Sequence, residues 1–397
     1  MNKPAIEGGQ PIREEFLPYG TQWLDDSEIN EVIDCLKSNW ITTGPKMRLF
    51  EENFKKYIGS NYAVAVNSGT AALHVSTSSI NIKPGDEVIT TPLTFVASAN
   101  CVVYRGGTPI FADIKKDTYN INPKEIEKKI TSKTKAIIPV HFTGQPCDMD
   151  EINEIAERNN LYIIEDAAHA IDAEYKGKKI GNISDLTIFS FHPVKNITTA
   201  EGGMVTTNNA DLNEKLLMFR THGITKDAAK RFGKSGGYYY DMQYLGFRYN
   251  MSELHASLGI HQMKKLKLFQ KRRREIVKIY NRELASIDGI IIPYVKNDIK
   301  HSWHLYVIQL KLENLKVDRD QIFKALREEN IGVNVHYIPV HYHTFYQKKF
   351  GLRKGILPKV EWIFPRILTI PLFAKMSDND VYDVINALEK VIKYYEK

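Results

Sequence analysis

Lys195 lies in the stretch FSFHPVKNITTAEGGM (residues 189–204), among apolar and hydroxyl side chains. No acidic residue is adjacent to it, and the nearest acid downstream is Glu201. A lysine that is shielded by apolar neighbours and lies near other cations has a lowered pKa, so its amine becomes nucleophilic. Such an amine forms a Schiff base with an aldehyde. Lys195 is therefore the first candidate for a catalytic residue.

A candidate anion site follows the apolar stretch YAVAVN (62–67), where Ser68-Gly69-Thr70 precedes a predicted helix. Free backbone N–H groups at a helix N-terminus, two hydroxyl groups and a glycine that allows close approach suit a phosphate. Plain helix capping by Ser68 or Thr70 is the alternative. No Gly-Lys-Ser/Thr sequence follows, which excludes a P-loop here. Gly233-Lys234-Ser235 also fails, because position 228 is alanine where that motif requires glycine.

Asp166 and Phe95 are candidates to hold a ring. Asp166 ends the stretch LYIIED, and an acid at the end of a buried strand is costly unless a positive group pairs with it. A protonated ring nitrogen would be a suitable partner, whereas capping of the next turn is the alternative. The sequence offers no clear set of metal ligands, so no metal is expected. Phe95 follows the stretch DEVITT and would lie flat against such a ring, or else belong to the core.

Pyridoxal 5'-phosphate (PLP) carries the three groups that these residues call for. Its aldehyde suits Lys195, its phosphate suits the turn at 68–71, and its pyridine nitrogen suits Asp166. One cofactor therefore explains three features that are ambiguous when each is taken alone.

The elements that must position these residues alternate between strands and helices. The predicted strands are 62–67, 86–91, 108–114, 135–142, 161–166, 186–191 and 203–208, with helices near 70–80, 95–104, 123–130 and 148–160. Near-continuous apolar strands separated by helices are typical of a buried, mostly parallel sheet. Ligands of such sheets bind beyond the carboxyl ends of the strands, where the candidate residues stand.

The pattern changes in the last third of the chain. We predict a long basic helix at about 252–285, strands WHLYVIQL (303–310) and GVNVHY (332–337), and helices at 318–330 and from Ser377 onwards. The predicted fold class is therefore α/β with a second unit. Residues 1–255 are expected to form an N-terminal segment and a large cofactor-binding domain, and 256–397 a small C-terminal α+β domain.

Composition narrows the class of protein. The chain of 397 residues has 43% hydrophobic and 25% charged residues, which fits a soluble globular protein. Its three cysteines, Cys35, Cys101 and Cys147, form no metal-binding pattern and favour a reducing cytosol. No signal peptide or membrane-length apolar run is present, so we expect a cytoplasmic protein. The net charge is +7, and basic residues cluster at 264–267 and 271–274. These clusters indicate a solvated helix face rather than nucleic-acid binding.

Four separated motifs carry a family resemblance. SFHPVKNITTAEGG, NSGTAAL, EDAAHA and GFRYNMSELHASLG resemble the DegT/DnrJ/EryC1/StrS sugar aminotransferases and occur in that family's order. The resemblance runs from LPYGTQWLDDSEI (17–29) to TIPLFAKMSDNDV (369–381). It implies the fold-type-I, aspartate aminotransferase-like architecture. It also implies a PLP enzyme that aminates a keto group on a nucleotide-linked deoxysugar, usually with L-glutamate as donor.

The resemblance also implies a role for each matching residue. Lys195 would hold PLP as the internal aldimine and later move a proton, with pyridoxamine phosphate (PMP) as the intermediate that carries the amino group. Asp166 would pair with the pyridine nitrogen, and His169 would lie near the 3-hydroxyl group of the ring. The phosphate would be held by Gly69, Thr70 and Ser190, next to Ser68.

The family picture is a homodimer with shared active sites. Asn250 would reach the phosphate of the neighbouring subunit's cofactor. The sequence RYNM differs from the form NYRM by exchanging the Asn and Arg positions, so either Arg248 or Asn250 is expected to make this contact.

Two subgroups of the family share the motif form that contains His192. The segments 332–351 and 169–181 resemble the UDP-4-amino-4,6-dideoxy-N-acetyl-β-L-altrosamine transaminases of pseudaminic acid synthesis. The expected substrate is therefore a 4-keto-6-deoxy UDP-N-acetylhexosamine. The alternative is a UDP-4-keto-pentose, the substrate of the 4-amino-4-deoxy-L-arabinose transaminases.

The same resemblance implies that one residue and two segments line the sugar-nucleotide site. In the alternative interpretation, Trp40 and Tyr337 are aromatic residues of the core. These are Tyr19 and the segments Asn39-Trp40-Ile41-Thr42 and Asn334-Val335-His336-Tyr337.

The sequence also disfavours two other classes of protein. A non-transaminating PLP/PMP sugar dehydrase is disfavoured, because Lys195 is present and the cysteines are few and scattered. A sensor protein is disfavoured, because the segment before Leu17 is too short for a DNA-binding module.

Overall fold

The computed structural model describes residues 3–225 and 239–397. The Gly233-Lys234-Ser235 stretch, which fails as a P-loop, lies outside the described residues. No helix in the described part is long and apolar enough to cross a membrane.

Seven strands of the described residues form the main sheet, in the order β1-β9-β8-β5-β4-β2-β3. Strand β9 is antiparallel to both of its neighbours, and the other pairs are parallel. The strands are β1 (Tyr62–Val66), β2 (Glu87–Thr90), β3 (Thr108–Phe111), β4 (Thr134–Ile138), β5 (Tyr162–Asp166), β8 (Leu186–Ser190) and β9 (Gly203–Thr207). The carboxyl ends of β1, β5 and β8 therefore meet the amino end of β9 at one edge.

Helices connect and cover these strands, and most of their predicted positions agree with the structure to within a few residues. They are α1 (Asp26–Lys37), α2 (Pro45–Ile58), α3 (Gly69–Ser79), α4 (Ala97–Tyr104), α5 (Pro123–Glu127), α6 (Met149–Asn159) and α7 (Ala210–Arg220). Helix α3 begins at Gly69 because the Ser68 hydroxyl accepts a hydrogen bond from the Ala71 N–H at 3.0 Å. It is buried from Ala71 to Ser79.

A second, antiparallel sheet lies in the C-terminal part. It contains β10 (Ile290–Ile291), β12 (Tyr306–Leu310) and β13 (Ile367–Ile370), in that order. The helices there are α8 (Glu253–Leu284), α9 (Arg319–Glu328), α10 (Thr344–Phe350), α11 (Pro358–Ile363) and α12 (Asp378–Tyr395). A small sheet of β6 (Glu174–Tyr175), β7 (Lys178–Lys179) and β11 (Ile299–Lys300), and 3₁₀ helices at Ala5–Glu7, Phe142–Gly144, Leu312–Asn314 and Val340–Tyr342, complete the described elements.

Helix α8 connects two hydrophobic cores. Ala256, Ile260 and Leu266 in its first half belong to the core beneath the main sheet. Ile276 and Tyr280 in its second half belong to the core of the C-terminal sheet. The two-domain division between 255 and 256, just inside this helix, stays a prediction.

The predicted strand at 332–337 is wrong. In this segment Asn334 forms an isolated bridge with Thr369 rather than part of a strand, and its side chain accepts a hydrogen bond from the Val335 N–H at 2.8 Å. Strand β12 pairs with β10 on one side and with β13 on the other, and β13 is a four-residue strand that the sequence analysis did not assign. Alternation of apolar and polar residues at 332–337 resembled a strand, but residues 334–337 form a cavity wall instead.

Candidate active site

A cavity of about 520 Å³ lies at the edge where β1, β5 and β8 end. It brings together most of the residues selected from the sequence, drawn from elements far apart in the chain. These are Tyr19, Ser68, Gly69, Thr70, Phe95, Asp166, His169, Ser190, Lys195, Asn334, Val335, His336 and Tyr337. Strand order explains the convergence, because the turns after neighbouring parallel strands open on the same edge.

Lys195 lies in the turn that follows β8. Its backbone N–H donates to the His192 carbonyl at 2.9 Å, and its Nζ lies 3.5 Å from Nε2 of His304. Burial lowers the pKa of the Lys195 amine from its ordinary value of 10.5 to about 8, although the nearby Asp166 carboxylate acts in the opposite direction. An amine with this pKa is partly unprotonated near neutral pH, as a nucleophilic lysine requires.

Asp166, the last residue of β5, is 5% exposed. Its Oδ2 accepts from the Ser98 hydroxyl at 2.7 Å, and its Oδ1 accepts from the Ala168 N–H at 3.1 Å. Burial raises the pKa of Asp166, while these two hydrogen bonds and the charge of Lys195 act to lower it. A buried carboxylate with these neighbours fits a cationic partner such as a protonated pyridine nitrogen.

The turn at 68–70 forms a close-packed cradle. The first N–H groups of α3 have no acceptor within the helix. A Cβ at Gly69 would lie 2.9 Å from Cβ and 3.0 Å from Oγ of Ser190, so only glycine allows the Ser190 hydroxyl to lie against this turn. A Cβ at Gly203 would lie 2.5 Å from the Ser68 carbonyl oxygen. Ser68 caps the helix, and the turn retains amides suited to a phosphate.

Three histidines surround the lysine. His169 Nε2 is 3.0 Å from the Tyr337 hydroxyl, and its ring centroid is 4.4 Å from that of His304. Burial is the main cause that lowers the pKa of His169 and His304 well below the ordinary range, and that of His336 to about 3. All three rings are therefore neutral at pH 7. In the described structure, Nδ1 of His169 and of His304 is buried without a hydrogen-bond partner.

Ser98 and His304 were missed by the sequence analysis. Ser98 stands three residues after Phe95 in the first turn of α4. Its position close to Phe95 in TFVASAN could have identified it as a candidate site residue. His304 just precedes β12, and nothing local marks it. Its backbone is held from α8, because Arg273 donates to the carbonyl groups of Trp303 at 3.0 Å and of His304 at 3.2 Å.

Two groups of predicted site residues lie outside this cavity. Asn39, Trp40, Ile41 and Thr42 are exposed, with Trp40 47% and Ile41 52% accessible to solvent. Arg248 is exposed, and Asn250 forms a bridge with Val66 and donates from Nδ2 to the Thr221 hydroxyl at 3.4 Å. Their contacts with ligands stay predictions.

The residues that are present fit PLP. The Gly69–Ser190 cradle suits its phosphate, the buried Asp166 carboxylate suits its ring nitrogen, and the unpartnered His169 Nδ1 suits its ring hydroxyl. Lys195 supplies the amine for its aldehyde. Within residues 3–225 and 239–397, no group of three or more His, Cys, Asp or Glu side chains could hold a metal ion.

The lowered pKa of Lys195 predicts a pH-dependent stability of the apo protein. Between pH 8 and 10.5 the unfolded chain retains a proton that folded Lys195 has lost, so this residue makes the free energy of unfolding rise with pH. The slope approaches about 1.4 kcal/mol per pH unit. Relative to Lys195→Met, the wild type should therefore gain stability as the pH rises from 8 to 10, because the variant lacks this titrating amine. Denaturant unfolding of both apo proteins measures this, and a stability difference between them that is constant with pH would contradict it.

Comparison with known proteins places this arrangement in a family. The model of the DegT/DnrJ/EryC1/StrS aminotransferase family matches residues 22–389. The spore coat polysaccharide biosynthesis protein SpsC of Bacillus subtilis is 45% identical over 96% of this chain and 98% of its own length. Spr1654 from Streptococcus pneumoniae, solved in its PLP form, has a TM-score of 0.88 at 33% identity, covering 96% of this chain and 99% of its own.

A third relative connects the family to a sugar pathway. Helicobacter pylori PseC, an aminotransferase involved in pseudaminic acid biosynthesis, has a TM-score of 0.89 at 30% identity, covering 96% of this chain and all of its own. The predicted family, the fold-type-I architecture, the enzyme class and the PLP cofactor are confirmed. The chain belongs to the DegT/DnrJ/EryC1/StrS aminotransferase family of PLP-dependent sugar aminotransferases.

Proposed function

We propose that this enzyme transfers an amino group from L-glutamate to the 4-keto group of a UDP-linked 4-keto-6-deoxy-N-acetylhexosamine in the cytoplasm. The observation that carries the proposal is the convergence of Lys195, Asp166 and the 68–70 turn in one cavity that residues 334–337 also line. When bound, PLP supplies the electron-withdrawing ring and the carbonyl group that carries the amine.

Lys195 acts as nucleophile and proton carrier in this proposal. Its pKa of about 8 leaves both forms of the amine available near neutral pH, which suits a group that accepts and returns a proton. His304 Nε2, 3.5 Å from Nζ, accepts from the ammonium form. Asn196 orients the lysine turn, because its Nδ2 donates to the Ser302 carbonyl at 2.9 Å and so ties this turn to the segment that carries His304.

Asp166 would hold the proton on the ring nitrogen of the bound cofactor. Its carboxylate is kept in place by Ser98 and by the Ala168 N–H, and in the low-dielectric cavity it stabilises a cation more strongly than it would in water. His169 is fixed by Tyr337 through Nε2, and its unpartnered Nδ1 would hydrogen-bond the ring hydroxyl of the bound cofactor.

The sugar is assigned to the wall made of Tyr19 and residues 334–337. The ring centroids of Tyr19 and His336 are 5.3 Å apart, and Thr369 fixes His336 through a 2.9 Å contact at Nδ1. Aromatic faces beside polar side chains suit a pyranose ring that bears an amide. The likeness to PseC, whose name connects it with pseudaminic acid biosynthesis, supports a 4-keto-6-deoxy-N-acetylhexosamine.

The substrate assignment predicts a selective amination. Purified enzyme with L-glutamate should convert a 4-keto-6-deoxy UDP-N-acetylhexosamine to the 4-amino sugar, detected by mass, at a higher kcat/KM than a UDP-4-keto-pentose. Lys195→Ala is the inactive control. Faster amination of the pentose would contradict the substrate assignment while leaving the enzyme class intact.

We also infer a homodimer with shared sites. A doubly charged phosphate calls for more donors than the 68–70 turn and Ser190 provide, and Arg248 and Asn250 lie outside the cavity of their own chain. Ile29, Ile33 and Leu36 form an exposed apolar stripe on α1, close in sequence to the exposed Trp40 and Ile41. Such a surface suits burial against a second copy.

Mixed dimers test the shared site. Lys195→Ala and the double variant Arg248→Ala/Asn250→Ala should each be nearly inactive as homodimers. A dimer that contains one subunit of each has one site with both defects and one intact site, so about half of the wild-type rate with glutamate should return. If heterodimers proven by native mass spectrometry stay inactive, Arg248 and Asn250 act in their own subunit or not at all.

A further inference from the structure

Glu253 is a buried carboxylate that caps a helix other than its own. It is the first residue of α8 and is 1% exposed. Its Oε2 accepts from the Lys46 N–H at 2.8 Å, and its Oε1 accepts from the Met47 N–H at 2.8 Å. These amides belong to the first turn of α2, where Gly44 offers no capping side chain and Pro45 has no N–H. The carboxylate also interacts favourably with the positive end of the α2 dipole.

The same residue connects two segments that are distant in sequence. The Glu253 N–H donates to the Thr42 carbonyl at 2.7 Å, which fixes the loop 39–44 against the start of α8. A Cβ at Gly44 would lie 2.8 Å from Oε2 of Glu253 and 3.1 Å from Cβ of Trp40, so this packing admits only glycine. Residues 248–252 lead directly into Glu253 from the other side. Through its backbone N–H and its carboxylate, Glu253 therefore ties the 39–44 loop and the start of α2 to the 248–252 segment.

Both segments lie outside the cavity of their own chain, and both carry exposed side chains with the chemistry of ligand contacts. Trp40 and Ile41 offer apolar area, and Arg248 offers a guanidinium group. We propose that Glu253 is a positioning residue in trans: it holds these two segments in the geometry that completes the neighbouring subunit's site for the cofactor phosphate and the sugar nucleotide. This inference rests on the proposed function, because it takes the shared site as its starting point.

Glu253→Gln tests the proposal with little change in volume. The amide keeps one acceptor oxygen, but its NH₂ group faces a backbone N–H, so one of the two caps is lost. The Kd for PLP should rise about tenfold, the scale of one hydrogen bond to a charged group. The visible absorbance of the Lys195 Schiff base during a PLP titration measures this without turnover.

Glu329→Gln is the matched control. Glu329 is also fully buried and lies away from both segments. It accepts from the Ala5 N–H and the Ile12 N–H, each at 2.8 Å, and pairs with Lys390 Nζ at 2.9 Å. Because Glu329→Gln also weakens this ion pair, the apo protein should lose at least as much stability as with Glu253→Gln, while the Kd for PLP stays within about twofold of wild type. Should Glu253→Gln not fold, Gly44→Ala displaces the same contact from the other side and is expected to give the same rise in Kd.

A heterodimer of Glu253→Gln with Lys195→Ala separates action in trans from action in cis. Only the site that retains Lys195 gives the Schiff base absorbance, and the segments that complete it come from the Lys195→Ala subunit, whose Glu253 is intact. The Kd for PLP at that site should return to the wild-type value. A Kd that stays raised in the heterodimer, or a wild-type Kd in the Glu253→Gln homodimer, overturns the proposal.

A heterodimer of Arg248→Ala/Asn250→Ala with Lys195→Ala shows whether the shared site or the role of Glu253 has failed. If it regains the wild-type Kd and the Glu253→Gln heterodimer does not, the shared site stands and the role of Glu253 falls. If neither heterodimer recovers, the shared site itself is wrong and the inference falls with it.

Discussion

The Lys195 ammonium and the Asp166 carboxylate occupy the same buried edge of the main sheet, where loss of hydration opposes the charge on each. Burial lowers the pKa of the lysine and raises that of the aspartate, while each charge partly stabilises the other. Removing one member of such a pair leaves the other uncompensated, which is costly in a protein interior. The surrounding structure supplies neutral partners that make this arrangement tolerable: Ser98 and the Ala168 N–H for Asp166, and the His304 ring for Lys195.

Topology brings these groups together, and close backbone packing holds them. Asp166 and Ser190 end adjacent parallel strands, and β9 enters the sheet in the opposite direction next to β1. Gly203 lets the Ser68 carbonyl approach β9, and Gly69 lets Ser190 approach the turn. A side chain at either glycine would separate the anion cradle from the lysine turn. The positions of the backbone amides in the 68–70 turn and of the Ser190 hydroxyl therefore depend on the packing of the sheet edge.

Site residues and strands could be predicted from the sequence where their signal lies in the neighbouring residues. Asp166 ends a buried strand, and the 68–70 turn and Lys195 follow the ends of buried strands within a few residues, so strand order and residue type were enough to select them. Ser98 and His304 act through contacts with residues 68 and 109 positions away in the sequence, and such contacts leave little mark on a single sequence. The strand predicted at 332–337 failed because its alternating pattern arises from a wall that faces a cavity on one side. Strand β13 was missed because a four-residue segment with three apolar residues does not distinguish a strand from other buried segments.

The central claim is that Lys195 binds the cofactor aldehyde at the convergence of the phosphate turn and Asp166. Reduction of the PLP-loaded enzyme with borohydride, followed by mass spectrometry of the digested chain, tests it most directly. The account predicts one pyridoxyl group per chain, located on Lys195, and no labelling of Lys195→Ala. A stoichiometric label on another lysine, or unchanged labelling of Lys195→Ala, would contradict it.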